Sequence, residues 1–167
     1  MKKVVSTLIV LGMFQVVFSQ GDFDKSLEFG FPVVSNLTYL SEVSLAETPN
    51  VVRKLQLKAA TFPIRNVDGY ERDESDSFVV VHKASNGGII VNYDTHGEIL
   101  RTWERFQNVS LPKPIRELLA KKYKGWKIRE NRYRGSFAHG KAAKALYRIK
   151  LVKGKKTKKI ELNALEI

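Results

Sequence analysis

The sequence predicts an α+β fold made of two helix-plus-antiparallel-strand units, with each helix packed on an antiparallel sheet. Three observations carry that expectation. Segments alternating with period two follow one another across short turns, which indicates hairpins rather than helical crossovers. Two amphipathic stretches open on proline, one at Pro49 and one at Pro112 and Pro114. Each is followed by a run of strands, and that order places helices on one face of an antiparallel sheet.

The clearest stretch is GGIIVNYDTHGEILRTWERFQNVSLPKPIRELLAKKYKGW, Gly87 to Trp126. Ile89, Val91 and Tyr93 alternate into a turn at Asp94 to Gly97, and a second strand starts at Glu98. After Ser110, a plausible N-cap, Ile115, Leu118, Leu119 and Tyr123 recur at helical spacing until Lys124-Gly125 ends the helix. Upstream, Gln20 to Glu47 is a lead-in with a strand expected near Leu40 to Leu45. Thr48 and Pro49 then read as N-cap and first position of a helix carrying Val52, Leu55, Ala59 and Phe62. Ile64 to Tyr70 reads as a strand, the acidic run Glu71 to Asp76 as a turn, and Phe78 to Lys83 as a strand rich in β-branched residues. Asn86-Gly87-Gly88 then turns the chain. Downstream, strands are expected at Lys127 to Tyr133, Ala145 to Val152 and Lys158 to Leu162, with Gly135 to Lys141 a loop and Lys153-Gly154-Lys155 a turn.

This order repeats. Val52-Arg53-x-Leu55 aligns with Ile115-Arg116-x-Leu118, and an aromatic stands at each helix exit, Phe62 and Trp126. The domain is therefore expected over residues 48–167, with repeats over about 48–110 and 111–167.

Lys2 and Lys3, the apolar run Val4 to Phe18, and Val17 and Ser19 form the pattern of a signal peptide over residues 1–19, cleaved near Ser19-Gln20. The apolar run is shorter than the roughly 20 residues a spanning helix needs. The expected product is exported, periplasmic or extracellular. The sequons Asn36-Leu37-Thr38 and Asn108-Val109-Ser110 bear on glycosylation only in a eukaryotic source. The chain has no cysteine, so neither disulfide nor thiolate chemistry is open to it.

Charge is divided unevenly. Gln20 to Glu98 holds seven Lys and Arg against twelve Asp and Glu, whereas Ile99 to Ile167 holds twenty against five. The basic half implies either an anionic partner or a solvated face. On the strand from Ile99, alternation places Ile99, Arg101, Trp103 and Arg105 on one side and Leu100, Thr102, Glu104 and Phe106 on the other. Trp103 is then either an exposed anchor or a core side chain with the arginines snorkelling past it. Lys121, Lys122, Lys124, Lys127, Arg129, Arg132 and Arg134 are candidates to extend that face.

Catalytic and cofactor motifs find no support. His82, His96 and His139 have no second ligand at metal spacing, and Ser110 and Ser136 have no base nearby in sequence. Asp73, Glu74 and Asp76 cluster where a hydrated turn is expected. A nucleotide adenylyltransferase would need a His-x-Gly-His motif in a βαβ setting. Here His96-Gly97 lacks the second histidine and His139-Gly140-Lys141 lacks the first.

With YDTHGEIL at Tyr93 to Leu100, the Leu111-Pro112 helix start, KKYKGWKI at Lys121 to Ile128 and LYRIKLVKGKK at Leu146 to Lys156, the chain resembles the PepSY-like group of small exported bacterial proteins. The resemblance covers about residues 48–163 and extends in fold to the β-lactamase-inhibitor proteins. It implies a non-catalytic envelope protein, without cofactor, that binds or inhibits another protein. The alternative expectation, from charge, is a binder of an anionic envelope polymer or surface.

Overall fold

A computed structural model describes residues 36–45, 47–67, 70 and 77–164, within the compact unit Pro32–Ile167. The expected signal peptide, most of the lead-in and the acidic run with Asp73, Glu74 and Asp76 lie outside the described residues. Helices α1 (Leu37–Val43) and α2 (Asn50–Ala60) precede strands β1 (Ser77–Ala84), β2 (Gly87–Asp94) and β3 (Ile99–Gln107). Helix α3 (Lys113–Lys122) precedes β4 (Lys127–Ala138), β5 (Lys141–Lys153) and β6 (Lys156–Asn163).

The six strands form one antiparallel sheet in sequence order, so both helix-then-three-strand runs share a single sheet with β1 and β6 at its edges. Such a meander needs only short turns. At the β2–β3 turn, Asp94 Oδ1 accepts the backbone N–H of His96 at 2.9 Å and of Glu98 at 2.8 Å, and Gly97 adopts φ +85°.

One sheet face is covered. Val52, Leu55 and Ala59 of α2, Tyr39 and Val43 of α1, and Ile115 and Leu119 of α3 join a core with Ile89, Val91, Phe106, Tyr147 and Ile149. The helical spacing in α2 and α3 and the alternation in the strands bury most of the residues their periods predict; Leu118 of α3 stays exposed, and so does Ile128 of β4, which precedes a shift in the β4–β5 register.

Several expectations are corrected. The segment near Leu40 to Leu45 is the end of helix α1 rather than a strand: Tyr39 and Val43, four residues apart, turn inward together. The segment from Ile64 begins as a short 3-10 turn, Ile64–Asn66, instead of a strand. Neither Thr48 nor Ser110 caps a helix; Pro49 and Pro112 occupy those positions, and Pro114 lies in the first turn of α3. The turn after β1 is Ser85-Asn86, and both following glycines belong to β2. Gly135 to Ala138 continues β4, because Arg101 to Glu104 on one side and β5 on the other give it ladder partners. Finally, a bulge at Leu100 pairs Tyr93 with Ile99 but Asn92 with Arg101, so Ile99 is buried and leaves the face that Arg101, Trp103 and Arg105 share.

Candidate functional site

With the helices on one face, the opposite face of the sheet is open. Ladder pairing aligns its residues in rows. One row runs Val81, Ile90, Trp103, Ser136, Lys144, and the next runs Val79, Asn92, Arg101, Ala138, Lys141. On the other side of the first, Lys83, Gly88, Arg105, Arg134 and Leu146 align, followed by Gln107, Arg132, Arg148 and Glu161.

The result is an apolar strip inside a cationic frame. Val79, Val81, Ile90 and Trp103 are 65%, 50%, 43% and 46% exposed, adjacent across β1, β2 and β3. Trp103 thus takes the exposed placement, not the core one. Arg101 and Arg105 flank it two residues away on each side, and Trp103, Ser136, His139, Lys141 and Lys144 line a shallow groove. Among the described residues, the ion pairs are Lys113–Glu117, Arg148–Glu161 and Lys150–Glu130, none of which uses Arg101, Arg105, Arg132 or Arg134. Apolar side chains framed by unneutralised guanidinium groups suit a surface with an apolar centre and an acidic margin.

The structure divides the candidate residues into two groups. Arg132 and Arg134 do extend the face around Trp103, since Arg134 pairs with Arg105 and Arg132 with Gln107. Lys121, Lys122, Lys124, Lys127 and Arg129 do not. Lys127 lies at the start of β4, nine residues before Ser136, the partner of Trp103, which at ~3.3 Å per residue is about 30 Å away.

On the covered face a second polar constellation stands out. Glu104 is 2% exposed and sits in the row His82, Ile89, Glu104, Gly135, Ala145. Tyr39 donates its hydroxyl to Glu104 Oε1 at 3.1 Å, and Gln56 Nε2 donates to both carboxylate oxygens at 3.1 Å. Burial pushes the carboxyl up to about 7, a rise that hydrogen bonds from Gln56, Tyr39 and Tyr133 only partly offset. Gly135 makes room for it: a Cβ there would stand 2.6 Å from Oε2. The adjoining cavity is ≈ 10 Å³, about the space of one water, and the carboxylate's partners Tyr39 and Gln56 tie both N-terminal helices to the sheet. Alternation groups Glu104 with Leu100, Thr102 and Phe106 but leaves open which side of the strand faces inward, and the helix partners Tyr39 and Gln56 carry no signal for it.

The histidines are dispersed. His82 is buried, its Nε2 3.2 Å from the Tyr93 hydroxyl, which itself donates to Ala59 O at 2.8 Å. Burial, and secondarily Lys58, lowers its pKa, so the neutral ring donates from Nε2 to Tyr93. His96 and His139 are exposed in turns. Among the described residues no three His, Cys, Asp or Glu side chains gather where they could hold a metal ion. No helix among them is long and apolar enough to cross a membrane.

Comparison with known proteins places the chain in no family: no family model, curated protein or solved structure matches it.

Proposed function

We propose that this chain is an exported, non-catalytic interaction module of the bacterial envelope that receives a protein partner on its open sheet face, binding or inhibiting it. The observation that carries this is the exposed strip Val79, Val81, Ile90 and Trp103, contiguous across three strands and bordered by arginines. A tryptophan anchor amid arginine is the composition of an interface centre. The strip reaches β1, an edge strand among the described residues, and an edge strand is the place where a partner's strand can add to a sheet. Export rests on Lys2, Lys3 and the apolar run to Phe18, and the PepSY-like resemblance agrees with a binding role.

An anionic envelope polymer is the second reading, favoured by the stacked Arg105, Arg134 and Arg132 positions. Salt separates the two. Residues 20–167 and the triple variant Arg101→Ala, Trp103→Ala, Arg105→Ala are used to capture ligands from envelope extract at low and high ionic strength, and the captured species is purified and titrated back. A discrete protein held at high salt and lost by the variant supports the protein interface. Retention of polymer alone, released by salt and indifferent to Trp103, overturns it in favour of charge-driven binding.

A further inference from the structure

The cations excluded from the open face form a surface of their own. Lys121 to Arg129 contains five cationic residues and Lys153 to Lys159 another five, with no Asp or Glu in either segment. The fold brings these segments together. Lys127 pairs with Val152, which pairs with Thr157, and the β5–β6 turn closes between Lys153 and Lys156. Lys153 reaches over the end of α3, its Nζ 3.4 Å from where a Gly125 Cβ would be, and Lys158 Nζ lies 5.1 Å from the centroid of the Tyr123 ring.

All ten side chains are exposed, and the ion pairs among the described residues use none of them. The acids beside these segments in sequence, Glu117, Glu130 and Glu161, are taken by Lys113, Lys150 and Arg148. Protection of an edge strand accounts for lysines on β6. It leaves those at the end of α3 and the start of β4 unexplained, because neither is an edge.

The character of the patch selects its occupant. Nine of the ten cations are lysine, a hydrated point charge that lacks the planar fork used for bidentate and stacked contacts. Single-stranded nucleic acid would call for aromatic platforms, yet Tyr123 and Trp126 are half-buried against the core. Leu118 and Ile128, 39% and 44% exposed, stand among the lysines. Lysines interleaved with exposed aliphatic and half-exposed aromatic side chains match an anionic headgroup layer.

We propose that this lysine-rich corner is a peripheral docking site for an anionic bilayer surface, separate from the open sheet face. A chain seated by this corner keeps Trp103, about 30 Å along the sheet, free for its partner.

The test is co-sedimentation of the full chain with vesicles of phosphatidylcholine, with and without phosphatidylglycerol. The change in the ratio of the two partition coefficients from one variant to another is the readout, because any contribution of the N-terminal run, Lys2 and Lys3 included, is common to all variants. Each surface lysine contributes about fivefold. The variant Lys121→Gln, Lys122→Gln, Lys124→Gln, and likewise Lys153→Gln, Lys155→Gln, Lys156→Gln, should therefore lower the ratio on the order of a hundredfold while circular dichroism stays unchanged. The triple variant at Arg101, Trp103 and Arg105 should keep it. A chain that ignores phosphatidylglycerol, or that binds soluble inorganic polyphosphate and not the vesicles, overturns the proposal. So does a ratio that falls with the open-face variant and not with the lysine variants.

Discussion

The Tyr39 hydroxyl donates to Glu104 Oε1 at 3.1 Å, joining the first helix to the centre of the sheet across 65 residues of sequence. That bond belongs to a buried carboxylate with no cation among its hydrogen-bond partners, and the consequence is a specific dependence of stability on pH. Glu104 is raised from its ordinary 4.5 to about 7, so the folded chain holds the proton more tightly than the unfolded chain. Its contribution is complete below about pH 4.5 and is lost as pH rises through about 7. Removing the charge without changing the shape should therefore help only where the charge exists. Glu104→Gln is expected to stabilise by ~1–3 kcal/mol at about pH 8 and to change little at about pH 4, by urea denaturation. Equal effects at both pH values, or a loss at the higher one, would rule out a charged Glu104 as a source of strain.

Gly135 is tied to the same carboxylate by steric need. The two residues are direct ladder partners, and a methyl group at 135 would meet Glu104 Oε2 at 2.6 Å and Cδ at 2.9 Å. Gly135→Ala should cost ~1–3 kcal/mol in thermal or chemical unfolding. In the Glu104→Ala background the same change should cost much less, since the obstructing atoms are gone. Additive effects of the two changes would contradict the contact.

Asn36 fastens the start of α1 to three places at once. Its Oδ1 accepts the Ile99 backbone N–H at 2.7 Å, while Nδ2 donates to Gly97 O at 3.0 Å and Ala60 O at 3.4 Å. Asn36→Ala strands a buried backbone donor and should cost ~2–4 kcal/mol, with Asn36→Asp intermediate because only the acceptor survives. Hydrogen exchange should show the Ile99 amide losing protection first. The same burial, 6% exposed, makes the Asn36 sequon inaccessible in the folded chain, whereas Asn108 is exposed.

Much of this architecture was legible because period and turn chemistry act locally. Strands β1 to β6 and helices α2 and α3 each announce themselves through alternation, helical spacing, or proline at the helix start. Helix α1 did not. Seven residues are too few for intrinsic helicity, and its existence depends on Tyr39 and Val43 packing on strands far away in sequence. The bulge at Leu100 was hidden for a similar reason: it arises from the β2–β3 register, and it reassigns Ile99 to the core. For the candidate site, alternation correctly grouped Arg101, Trp103 and Arg105. It offered no means of seeing that Lys127 lies far along β4 and meets the β5–β6 turn instead, since that neighbourhood is a property of the whole sheet.

The two sheet faces also make opposite predictions for adjacent residues. Ile89 is fully buried under the helices, and Ile90, its neighbour, is 43% exposed beside Trp103. Ile89→Ala opens a cavity in the core and should cost ~2–5 kcal/mol. Ile90→Ala and Trp103→Ala remove surface area only and should each cost less than ~1 kcal/mol by denaturant unfolding. If the open face receives a protein, the ranking reverses for binding: Trp103→Ala should weaken the captured partner by ~2 kcal/mol or more in a calorimetric titration, and Ile90→Ala by less. A Trp103→Ala variant that loses stability and binding together would mean that the tryptophan supports the sheet. Retained stability with lost binding would assign it to the interface.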